Sequence, residues 1–498
     1  MRSSHVGEWS KKSATYYGDA VALVDVAKSK RFTYRVLDER ASALASQLQH
    51  KYLVKKGDRV AMLAHNGVEY LDALFACGKL GAIFVPYNWR LHAKELVALT
   101  TTIAPRVLFF SPEFDEAAAQ MGAAATCPAV ALDAAYEASL VPGEYTAPDV
   151  HPEDIACFLF TGGTTGLPKA ARLSHRMLAW NCFNTAIHEV HHGDVTISHT
   201  PMFHTGGLFV HTLPALVMGG RVVLMRRWDT EEMVRLVAEE QVTMFFCVPS
   251  QYVALLQCPS LPKADWHSVR FMTSGGAPLP VDVQRAFRAI HDIPFKQGFG
   301  MTEFGPGALT LSPQDSEAHV GSVGRPNYFV EAQILTQGQL TAANEVGELC
   351  FRGPALFSGY YDPHGTAPFT DAQGWFHTGD LARADAQGFV TIVGREKDMF
   401  ISGGENVYPI EIEAALYAHP AVADCSVIGV PDEKWGEVGM AFVVLKPEQR
   451  ADDGELLAFL GNRIARYKLP KRIVFRDTLP LSAAGKILKT ALREEAAS

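Results

Sequence analysis

A short segment rich in glycine and threonine is the part of this sequence best suited to chemistry. It reads Thr161-Gly-Gly-Thr-Thr-Gly-Leu-Pro-Lys169 and directly follows the apolar run 155–160. A strand that ends in such a loop can present backbone N–H groups and threonine hydroxyls to phosphate oxygens, and Lys169 adds a positive charge. The spacing does not fit the G-x-x-x-x-G-K-[ST] pattern of a Walker A loop in any register. The segment therefore predicts a phosphate-binding loop of another kind.

Further segments combine glycines with acidic, basic and hydroxyl side chains. In chain order they are Ser274-Gly-Gly-Ala-Pro278, Gly298-Phe-Gly-Met-Thr-Glu303, Gly374-Trp-Phe-His-Thr-Gly-Asp380, Gly394-Arg-Glu-Lys-Asp398, Ser402-Gly-Gly-Glu-Asn-Val-Tyr-Pro409 and Pro480-Leu-Ser-Ala-Ala-Gly-Lys486. A single Asp or Lys in a long chain is most often a solvated surface group. Their occurrence together, inside patterned segments, favours a functional interpretation.

In this order, the segments resemble the signature motifs of the adenylate-forming enzymes: acyl-CoA synthetases, luciferases and peptide-synthetase adenylation domains. The bacterial fatty-acyl- and aryl-CoA synthetases are the most similar group. The resemblance spans essentially the whole chain. It implies that a carboxylate attacks the α-phosphate of ATP and expels pyrophosphate, and that the acyl group then passes to the thiol of CoA. ATP, Mg²⁺ and CoA are the implied cofactors and co-substrates.

The resemblance also implies individual roles. Lys486 contacts the carboxylate and the α-phosphate, Thr302 binds the α-phosphate, and Glu303 holds Mg²⁺. His204, in Pro201-Met-Phe-His204-Thr-Gly-Gly207, gates the acyl pocket; a structural histidine is the alternative. The implied nucleotide- and CoA-binding residues are Thr161, Gly162, Gly163, Thr164, Thr165, Gly166, Lys169, Gly275, Gly276, Ala277, Pro278, Gly298, Phe299, Gly300, Met301, Thr302, Asp380, Arg395, Gly403, Gly404 and Trp435.

The elements that must position these residues can be read from hydrophobic spacing. Strand-like and helix-like segments alternate up to about residue 310, which predicts parallel α/β sheets; Leu37, Ala41, Leu44 and Leu48 mark one helix. Short strands after residue 320 predict a small β-rich subdomain, and the last hundred residues predict a small α+β domain with a helix over 453–467. We expect residues 1–396 to bind ATP and acid, and 398–498 to form a mobile lid about a hinge near Lys397.

The acid is less well defined by the sequence. Apolar residues near the predicted acyl site are Phe203, Leu208, Phe209, Val210, Met272, Phe299 and Met301. Apolar walls suit alkyl and aryl acids almost equally, and the Gly206-Gly207 pair favours a medium- or long-chain fatty acid. The alternatives are an aryl- or hydroxycinnamate-CoA ligase and an enzyme that loads a separate carrier protein. A nucleotide-binding sensor without catalysis is the rival from another class.

Two other patterns suggest different chemistry and are weaker. His188-Glu-Val-His-His192 fits the H-E-x-x-H pattern of zinc proteases, but Gly193-Asp194 ends the expected helix there and no third ligand follows. Gly298-Phe-Gly300 begins like a dinucleotide fingerprint, but Glu303 replaces its last glycine. We expect neither a catalytic zinc site nor nicotinamide binding.

The composition sets limits on partners. Lys and Arg number 45 against 54 Asp and Glu, a net charge of −9, and 48% of the 498 residues are hydrophobic. Such a chain lacks the basic surface expected for nucleic acid or anionic lipid, and no apolar run is long enough for membrane insertion. Eight scattered cysteines without a C-x-x-C pair argue against disulfides and structural zinc. With no secretory signal, we expect a soluble cytoplasmic enzyme that binds small molecules; a homodimer is left open.

Overall fold

The strands of the chain form four sheets, which a computed structural model describes over residues 5–161, 168–188, 190–365, 367–481 and 487–497. The α-helices are Val6–Tyr17, Tyr34–His50, Glu69–Leu80, Ala93–Ile103, Asp115–Ala125, Ala134–Ser139, His175–Ile187, Thr205–Leu208, Thr212–Val217, Thr230–Glu239, Pro249–Leu256, Val281–Ile290, Pro409–Tyr417, Asp453–Gly461 and Lys489–Ala497. Short 3-10 helices occur at Pro112–Phe114, Leu261–Lys263, Glu396–Asp398 and Arg466–Lys468.

The largest sheet has nine strands. Their spatial order is Arg325–Pro326, Gly305–Leu311, Phe295–Met301, Phe271–Gly275, Met244–Cys247, Val195–Ser198, Arg221–Leu224, Val21–Asp25 and Lys30–Thr33. The inner pairings from Phe295–Met301 to Val21–Asp25 are parallel. The strands at both edges are antiparallel. The carboxyl ends of the parallel strands therefore meet along one edge of this sheet.

The second sheet has six strands. Their order is Ala129–Ala131, Val107–Phe110, Arg59–Leu63, Ile83–Pro86, Ile155–Thr161 and Lys169–Ser174. Only the last pairing is antiparallel, so residues 161–169 join two strands of a hairpin. Helix Glu69–Leu80 is buried at every position because the main core contains residues of both sheets as well as of this helix.

The helix at Tyr34–His50 begins as its sequence predicts. Thr33 caps it by accepting a 3.2 Å hydrogen bond from the N–H of Val36, which satisfies one of the free N–H groups of the first turn. Leu37, Leu44 and Leu48 are fully buried along its inner face. The predicted 3.6-residue periodicity is thus present in the core.

Two smaller sheets follow. The antiparallel third sheet has the order Gln339–Leu340, Glu331–Thr336, Gly347–Arg352, Phe376–Ala384 and Val390–Arg395. The fourth has the order Glu405–Val407, Phe400–Ser402, Gly436–Leu445 and Val422–Asp432, and Arg472–Arg476 pairs with Gly436–Leu445. The fold class predicted from the sequence is confirmed: parallel α/β sheets, a β-rich subdomain and a smaller C-terminal domain.

One predicted helix is too long. The helix expected over 453–467 ends at Gly461, and a separate 3-10 turn follows at Arg466–Lys468. Glycine has a low helix propensity, and the helix ends there although the apolar spacing of Leu456 and Leu460 continues at Ile464. Among the helices in the described part of the chain, none has the length and apolar content needed to cross a bilayer.

Candidate active site

Two glycine-rich segments lie side by side at the edge of the nine-stranded sheet. They end the parallel strands Phe271–Gly275 and Phe295–Met301, and Gly275 pairs directly with Gly298. A Cβ atom on Gly275 would lie 3.0 Å from the carbonyl oxygen of Gly298, so a side chain would press on the neighbouring strand. The carboxyl ends of parallel strands are where α/β proteins bind ligands. The two segments that the sequence predicts to bind the nucleotide therefore lie at an edge of this kind, which we call the ligand-binding edge.

Thr302 and Glu303 lie in the tight turn that follows Phe295–Met301 and precedes the antiparallel strand Gly305–Leu311. Glycine is needed at position 300 because a Cβ atom there would lie 2.4 Å from backbone atoms of the facing strand. The turn holds the Thr302 hydroxyl and the Glu303 carboxylate next to the ligand-binding edge.

Tyr360 joins this turn to the hairpin of strands Ile155–Thr161 and Lys169–Ser174, and no sequence motif predicted its role. Its hydroxyl donates a 2.6 Å hydrogen bond to Oε1 of Glu303. The ammonium group of Lys169 lies 5.3 Å from the centre of the Tyr360 ring. Tyr360 forms an isolated bridge with Ala171, and the N–H of Phe357 donates a 2.8 Å bond to the carbonyl of Glu303. Long-range pairing thus positions Tyr360 between Glu303 and Lys169.

The protonation of the Tyr360 hydroxyl determines its role in this group. Burial and then the adjacent Glu303 carboxylate raise the pKa of Tyr360 above its ordinary value, and Arg395 partly opposes that rise. The phenol therefore stays protonated and can donate to Glu303. No salt bridge to Glu303 occurs among the described residues. A carboxylate with a neutral donor and no paired cation fits a Mg²⁺ ion, which prefers oxygen ligands.

Asp380 and Arg395 form a second charged pair. They lie directly opposite each other on the antiparallel strands Phe376–Ala384 and Val390–Arg395. Arg395 Nε lies 2.8 Å from Oδ1 of Asp380, whose side chain is 5% exposed. The N–H of Asp380 donates a 3.0 Å bond to the hydroxyl of Thr378. A buried carboxylate held this firmly can accept hydrogen bonds from a diol such as a ribose.

The segment predicted as the hinge adjoins this pair. Lys397 lies in the 3-10 helix Glu396–Asp398, and burial together with nearby Arg395 holds its pKa below the ordinary lysine value. Asp398 accepts a 2.7 Å hydrogen bond from Arg493, on the last helix of the chain. The C-terminal helix is therefore linked directly to the segment that was predicted as a hinge.

His204 and its neighbours lie at the start of the short helix Thr205–Leu208. Its ring centre lies 4.5 Å from that of Phe203, and Phe203 packs edge-to-face on Trp89 with centres 6.2 Å apart. The half-buried His204 thus forms part of an aromatic group. Trp89 was not among the residues predicted for this region.

The Gly206-Gly207 pair does not form one open space, which corrects the sequence interpretation. A Cβ atom on Gly207 would lie 2.4 Å from the Pro201 carbonyl oxygen, so this glycine permits close backbone packing. A Cβ atom on Gly206 would instead lie 3.4 Å from Cε1 of Phe246. A Cβ atom on Gly275 would lie 3.2 Å from Cε2 of the same ring. Phe246, which the sequence analysis missed, therefore lies between Gly206 and the ligand-binding edge.

Several residues expected to line the acyl pocket belong to the core instead. Leu208, Phe209 and Met272 are at most 1% exposed and pack within hydrophobic clusters. Alternation along a strand explains Met272, because adjacent residues point to opposite faces of the sheet. Phe299 and Met301 are half-buried and contact the core of the third sheet.

In the fourth sheet, Gly403 lies against Trp435. A Cβ atom on Gly403 would lie 2.8 Å from Cε3 of Trp435, and the Gly403 N–H donates a 2.8 Å bond to the Trp435 carbonyl. Trp435 is 40% exposed. Gly403 and Gly404 both have positive φ, at +61° and +88°. The structure thus brings the two predicted CoA-side segments together.

Other predicted residues lie as follows. Thr161 pairs with Lys169 at the base of the hairpin. Gly276 turns the chain with a φ of +82°, and Ala277 and Pro278 continue that loop. Gly162, Gly163, Thr164, Thr165, Gly166 and Lys486 lie outside the described residues.

The zinc-protease pattern does not form the helix that its chemistry needs. Helix His175–Ile187 ends before His188, and Nδ1 of His192 lies 3.2 Å from the Met218 carbonyl. Glu189 is outside the described residues. The two histidines are therefore not on one helical face.

Comparisons with known proteins agree with this geometry. Residues 10–361 match the family described as AMP-binding enzyme, and residues 411–486 match the AMP-binding enzyme C-terminal domain. A feruloyl-CoA synthase from Amycolatopsis sp is 39% identical over 99% of both chains. An indoleacetate–CoA ligase from Aromatoleum aromaticum is 38% identical over 92% of this chain and 91% of its own. A long-chain-fatty-acid–CoA ligase from Mycobacterium tuberculosis is 32% identical over 99% and 98%.

The fold is similar to solved structures of o-succinylbenzoate CoA synthetase from Bacillus subtilis. The structure in complex with its acyl-adenylate intermediate has a TM-score of 0.88, 29% identity and 97% coverage of both chains. A structure in complex with ATP and magnesium ion has a TM-score of 0.87 and 28% identity, and it covers 97% of this chain and 99% of that one.

Proposed function

This chain belongs to the family of AMP-binding enzymes and is an acid–thiol ligase that forms AMP, and we propose that its acid is aromatic. The reaction has two steps. The acid carboxylate attacks the α-phosphate of ATP, which forms an acyl-adenylate and releases pyrophosphate. The thiol of CoA then attacks the acyl carbon, which forms the thioester and releases AMP. We assign two groups of residues to the first step because of their contacts. Tyr360 contacts both Glu303 and Lys169, and Asp380 forms an ion pair with Arg395.

The charges suit a polyanionic nucleotide. Lys169 and Arg395 both supply positive charge near Tyr360, and the Thr302 hydroxyl lies in the same turn as Glu303. In our proposal Glu303 binds Mg²⁺, which neutralises phosphate charge as pyrophosphate leaves. Thr302 binds the α-phosphate.

The ribose is assigned to Asp380. Its buried carboxylate can accept bonds from two hydroxyls, and Arg395, which is paired with it, can also contact phosphate. The adenine is assigned to the loop after Gly275, at the carboxyl edge of the parallel strands. The hairpin 161–169 is assigned to the phosphates.

In our proposal, Lys486 acts in the first step, and movement of the lid prepares the second step. We assign Lys486 to the carboxylate and α-phosphate, residues 398–498 to a mobile lid, and Lys397 to the hinge. The contact of Asp398 with Arg493 supports coupled movement of the hinge segment and the last helix. After rotation, the Gly403–Trp435 face would line the passage for the CoA thiol.

The aromatic acid is favoured by the rings near the ligand-binding edge. Phe246 lies against the Cβ positions of Gly206 and Gly275, and Phe203 and Trp89 pack nearby with His204. Flat aromatic walls favour offset or edge-to-face contact with a planar ring. The names of the feruloyl-CoA and indoleacetate relatives point the same way.

A medium- or long-chain fatty acid is the second candidate. The similarity to a long-chain-fatty-acid–CoA ligase over nearly the whole chain favours it. The Gly206-Gly207 argument for an alkyl chain is weaker, because Gly207 faces backbone rather than open space.

A panel assay tests the proposal. Purified enzyme with ATP and Mg²⁺ is given ferulate, indoleacetate, benzoate, octanoate or palmitate, and AMP is measured with CoA or with a phosphopantetheine-bearing carrier protein. We expect the highest kcat/KM for an aromatic acid with CoA. Equal or higher values for octanoate or palmitate would reject the aromatic acid, and AMP formation only with the carrier would reject CoA as acceptor.

A further inference from the structure

Three potential metal ligands lie together on the third sheet, outside the groups assigned to catalysis. Cys350 and His377 are directly opposite each other on the antiparallel strands Gly347–Arg352 and Phe376–Ala384. Side chains of opposed residues point to the same face, and so do those of residues two apart on a strand. Glu348 therefore shares the face of Cys350 and His377.

Their ligand atoms are close enough to bind one ion. Nδ1 of His377 lies 2.6 Å from Oε2 of Glu348 and 3.5 Å from Sγ of Cys350. The three ligand atoms lie within 4.8 Å of one another, the only such group found in the described part of the chain. A thiolate, an imidazole and a carboxylate are the donors that Zn²⁺ takes in proteins.

Outer contacts hold each polar ligand, which is independent support for a site. Asp371 Oδ2 lies 3.4 Å from Nε2 of His377, on the side of the ring away from the cluster. Asp371 is itself fixed, since its Oδ1 accepts 2.9 Å and 2.8 Å bonds from the N–H groups of Gln373 and Trp375. A carboxylate on the second nitrogen of a ligating histidine is the usual outer partner in zinc sites.

Glu348 is held in the same way. Its Oε1 accepts a 3.0 Å bond from the N–H of Gly379, where the strand register shifts. Its other oxygen, Oε2, then faces His377 and Cys350. The side chains of Glu348 and His377 are 22% and 43% exposed, so an ion can enter from solvent, whereas Cys350 is buried at the base of the cluster.

We propose that Glu348, Cys350 and His377 bind one Zn²⁺ ion, with solvent as the fourth ligand. Binding forms a zinc–sulfur bond as the Cys350 thiol proton leaves to the buffer. His377 binds through Nδ1 and keeps its proton on Nε2, which donates a hydrogen bond to Oδ2 of Asp371. One thiolate and one carboxylate balance the double charge of the ion. The site has no C-x-x-C pair or other local motif, because its ligands come from two strands that pair across the sheet.

Zinc alone tests the proposal on the untagged full-length protein after chelator dialysis. We expect one tightly bound equivalent, with affinity at least tenfold lower in Cys350→Ser and His377→Gln, and about 10- to 100-fold lower in Asp371→Asn. Cys127→Ser, at a partly exposed cysteine elsewhere, is the matched control and should bind like the wild type. Thermal melts establish that each variant is folded.

Cobalt provides a second readout that identifies the sulfur ligand. Wild-type protein and Cys127→Ser loaded with Co²⁺ should show a sulfur-to-cobalt charge-transfer band, which Cys350→Ser should lose. If Cys350→Ser does not fold, Glu348→Gln and His377→Gln, at partly exposed side chains, carry the affinity test. Unchanged zinc affinity in the folded variants, or a cobalt spectrum without the thiolate band, would overturn the site.

Discussion

The hydroxyl of Tyr360 donates a 2.6 Å hydrogen bond to Oε1 of Glu303, although the two residues lie 57 positions apart in the chain. This bond orients the carboxylate assigned to Mg²⁺ while leaving its charge uncancelled. The Lys169 ammonium group lies over the face of the same ring. Tyr360 therefore lies between the carboxylate and the ammonium group that we assign to the nucleotide site.

The first prediction concerns this bond. Glu303→Gln should lower the rate of adenylate formation by about 10²–10³, because a preorganised charged group is lost. Tyr360→Phe should raise KM for Mg²⁺·ATP about tenfold, since a hydrogen bond to a charged group contributes about 1.5–3 kcal/mol. Pyrophosphate release at varied Mg²⁺ measures both.

Tyr361→Phe is the matched control for Tyr360→Phe. Tyr361 is the next residue, and its ring packs on Phe158 with centres 4.9 Å apart. The Tyr361→Phe variant should retain the wild-type KM for Mg²⁺·ATP. Equal effects of the two tyrosine variants would show that Tyr360 acts only through packing.

The second prediction concerns the ribose. Wild-type enzyme should use ATP at least about tenfold better than 3′-deoxy-ATP, because one hydrogen bond to the Asp380 carboxylate is lost with the hydroxyl. In Asp380→Asn this discrimination should shrink. Glu331→Gln removes an exposed carboxylate from the same sheet and should leave it unchanged. If Asp380→Asn still preferred ATP over 3′-deoxy-ATP as strongly as the wild type, another residue would have to bind the ribose.

Much of the fold could be predicted from the sequence because it depends on local patterns. Buried helices and strands such as Tyr34–His50 and Val107–Phe110 follow from apolar spacing, and the family and its α/β architecture are confirmed. The helix over 453–467 was predicted too long because its apolar content did not reveal the end at Gly461.

The site could be predicted only where its residues lie in patterned segments. Glu303, Asp380 and Arg395 were singled out because they lie in such segments. The pairing of Asp380 with Arg395 comes from strand register, which is not visible in the sequence. Tyr360 and Phe246 were missed because contacts distant in sequence position them. The motif roles that were carried over by resemblance, including that of Lys486, stay predictions.

The third prediction separates the two adjacent glycines. Gly206→Val should place methyl groups beside Phe246 and lower kcat/KM for ferulate more than for benzoate, because the larger acid loses space. Gly207→Ala should instead lower the melting temperature, since its Cβ would meet the Pro201 carbonyl; forced packing of this kind costs about 1–3 kcal/mol.

The prediction is tested by measuring kcat/KM for ferulate and benzoate, and the melting temperature, of both glycine variants. Gly207→Ala should keep the wild-type ratio of ferulate to benzoate. A changed ratio in Gly207→Ala together with an unchanged one in Gly206→Val would reverse our placement of the pocket.

The fourth prediction concerns pH and His211. This histidine is buried with Nε2 3.0 Å from the Thr273 hydroxyl, and burial with the nearby Lys296 charge lowers its pKa to about 3. The unfolded imidazole titrates near 6.5. Because the folded pKa is lowered, the stabilising contribution is complete above pH 6.5. It falls by about 1.4 kcal/mol per pH unit as the pH drops from 6.5 toward 3.

His211→Gln should therefore weaken the fall of the melting temperature between pH 7 and 5. His364→Gln, at an exposed histidine for which no ion pair is found in the described part of the chain, should keep the wild-type slope. A slope unchanged by His211→Gln would mean that His211 does not stay neutral in the folded enzyme.

The central claim is that one chain adenylates an acid and then transfers the acyl group to CoA. Rapid-quench analysis of both half-reactions tests it most directly, with wild-type enzyme and Lys486→Ala. Without CoA, the wild type should form acyl-adenylate from ferulate and ATP and consume it when CoA is added. Lys486→Ala should lose adenylate formation by about 10²–10³ but still convert supplied feruloyl-adenylate and CoA to thioester. Absence of adenylate in the wild type with every acid of the panel, or equal loss of both steps in Lys486→Ala, would contradict the account.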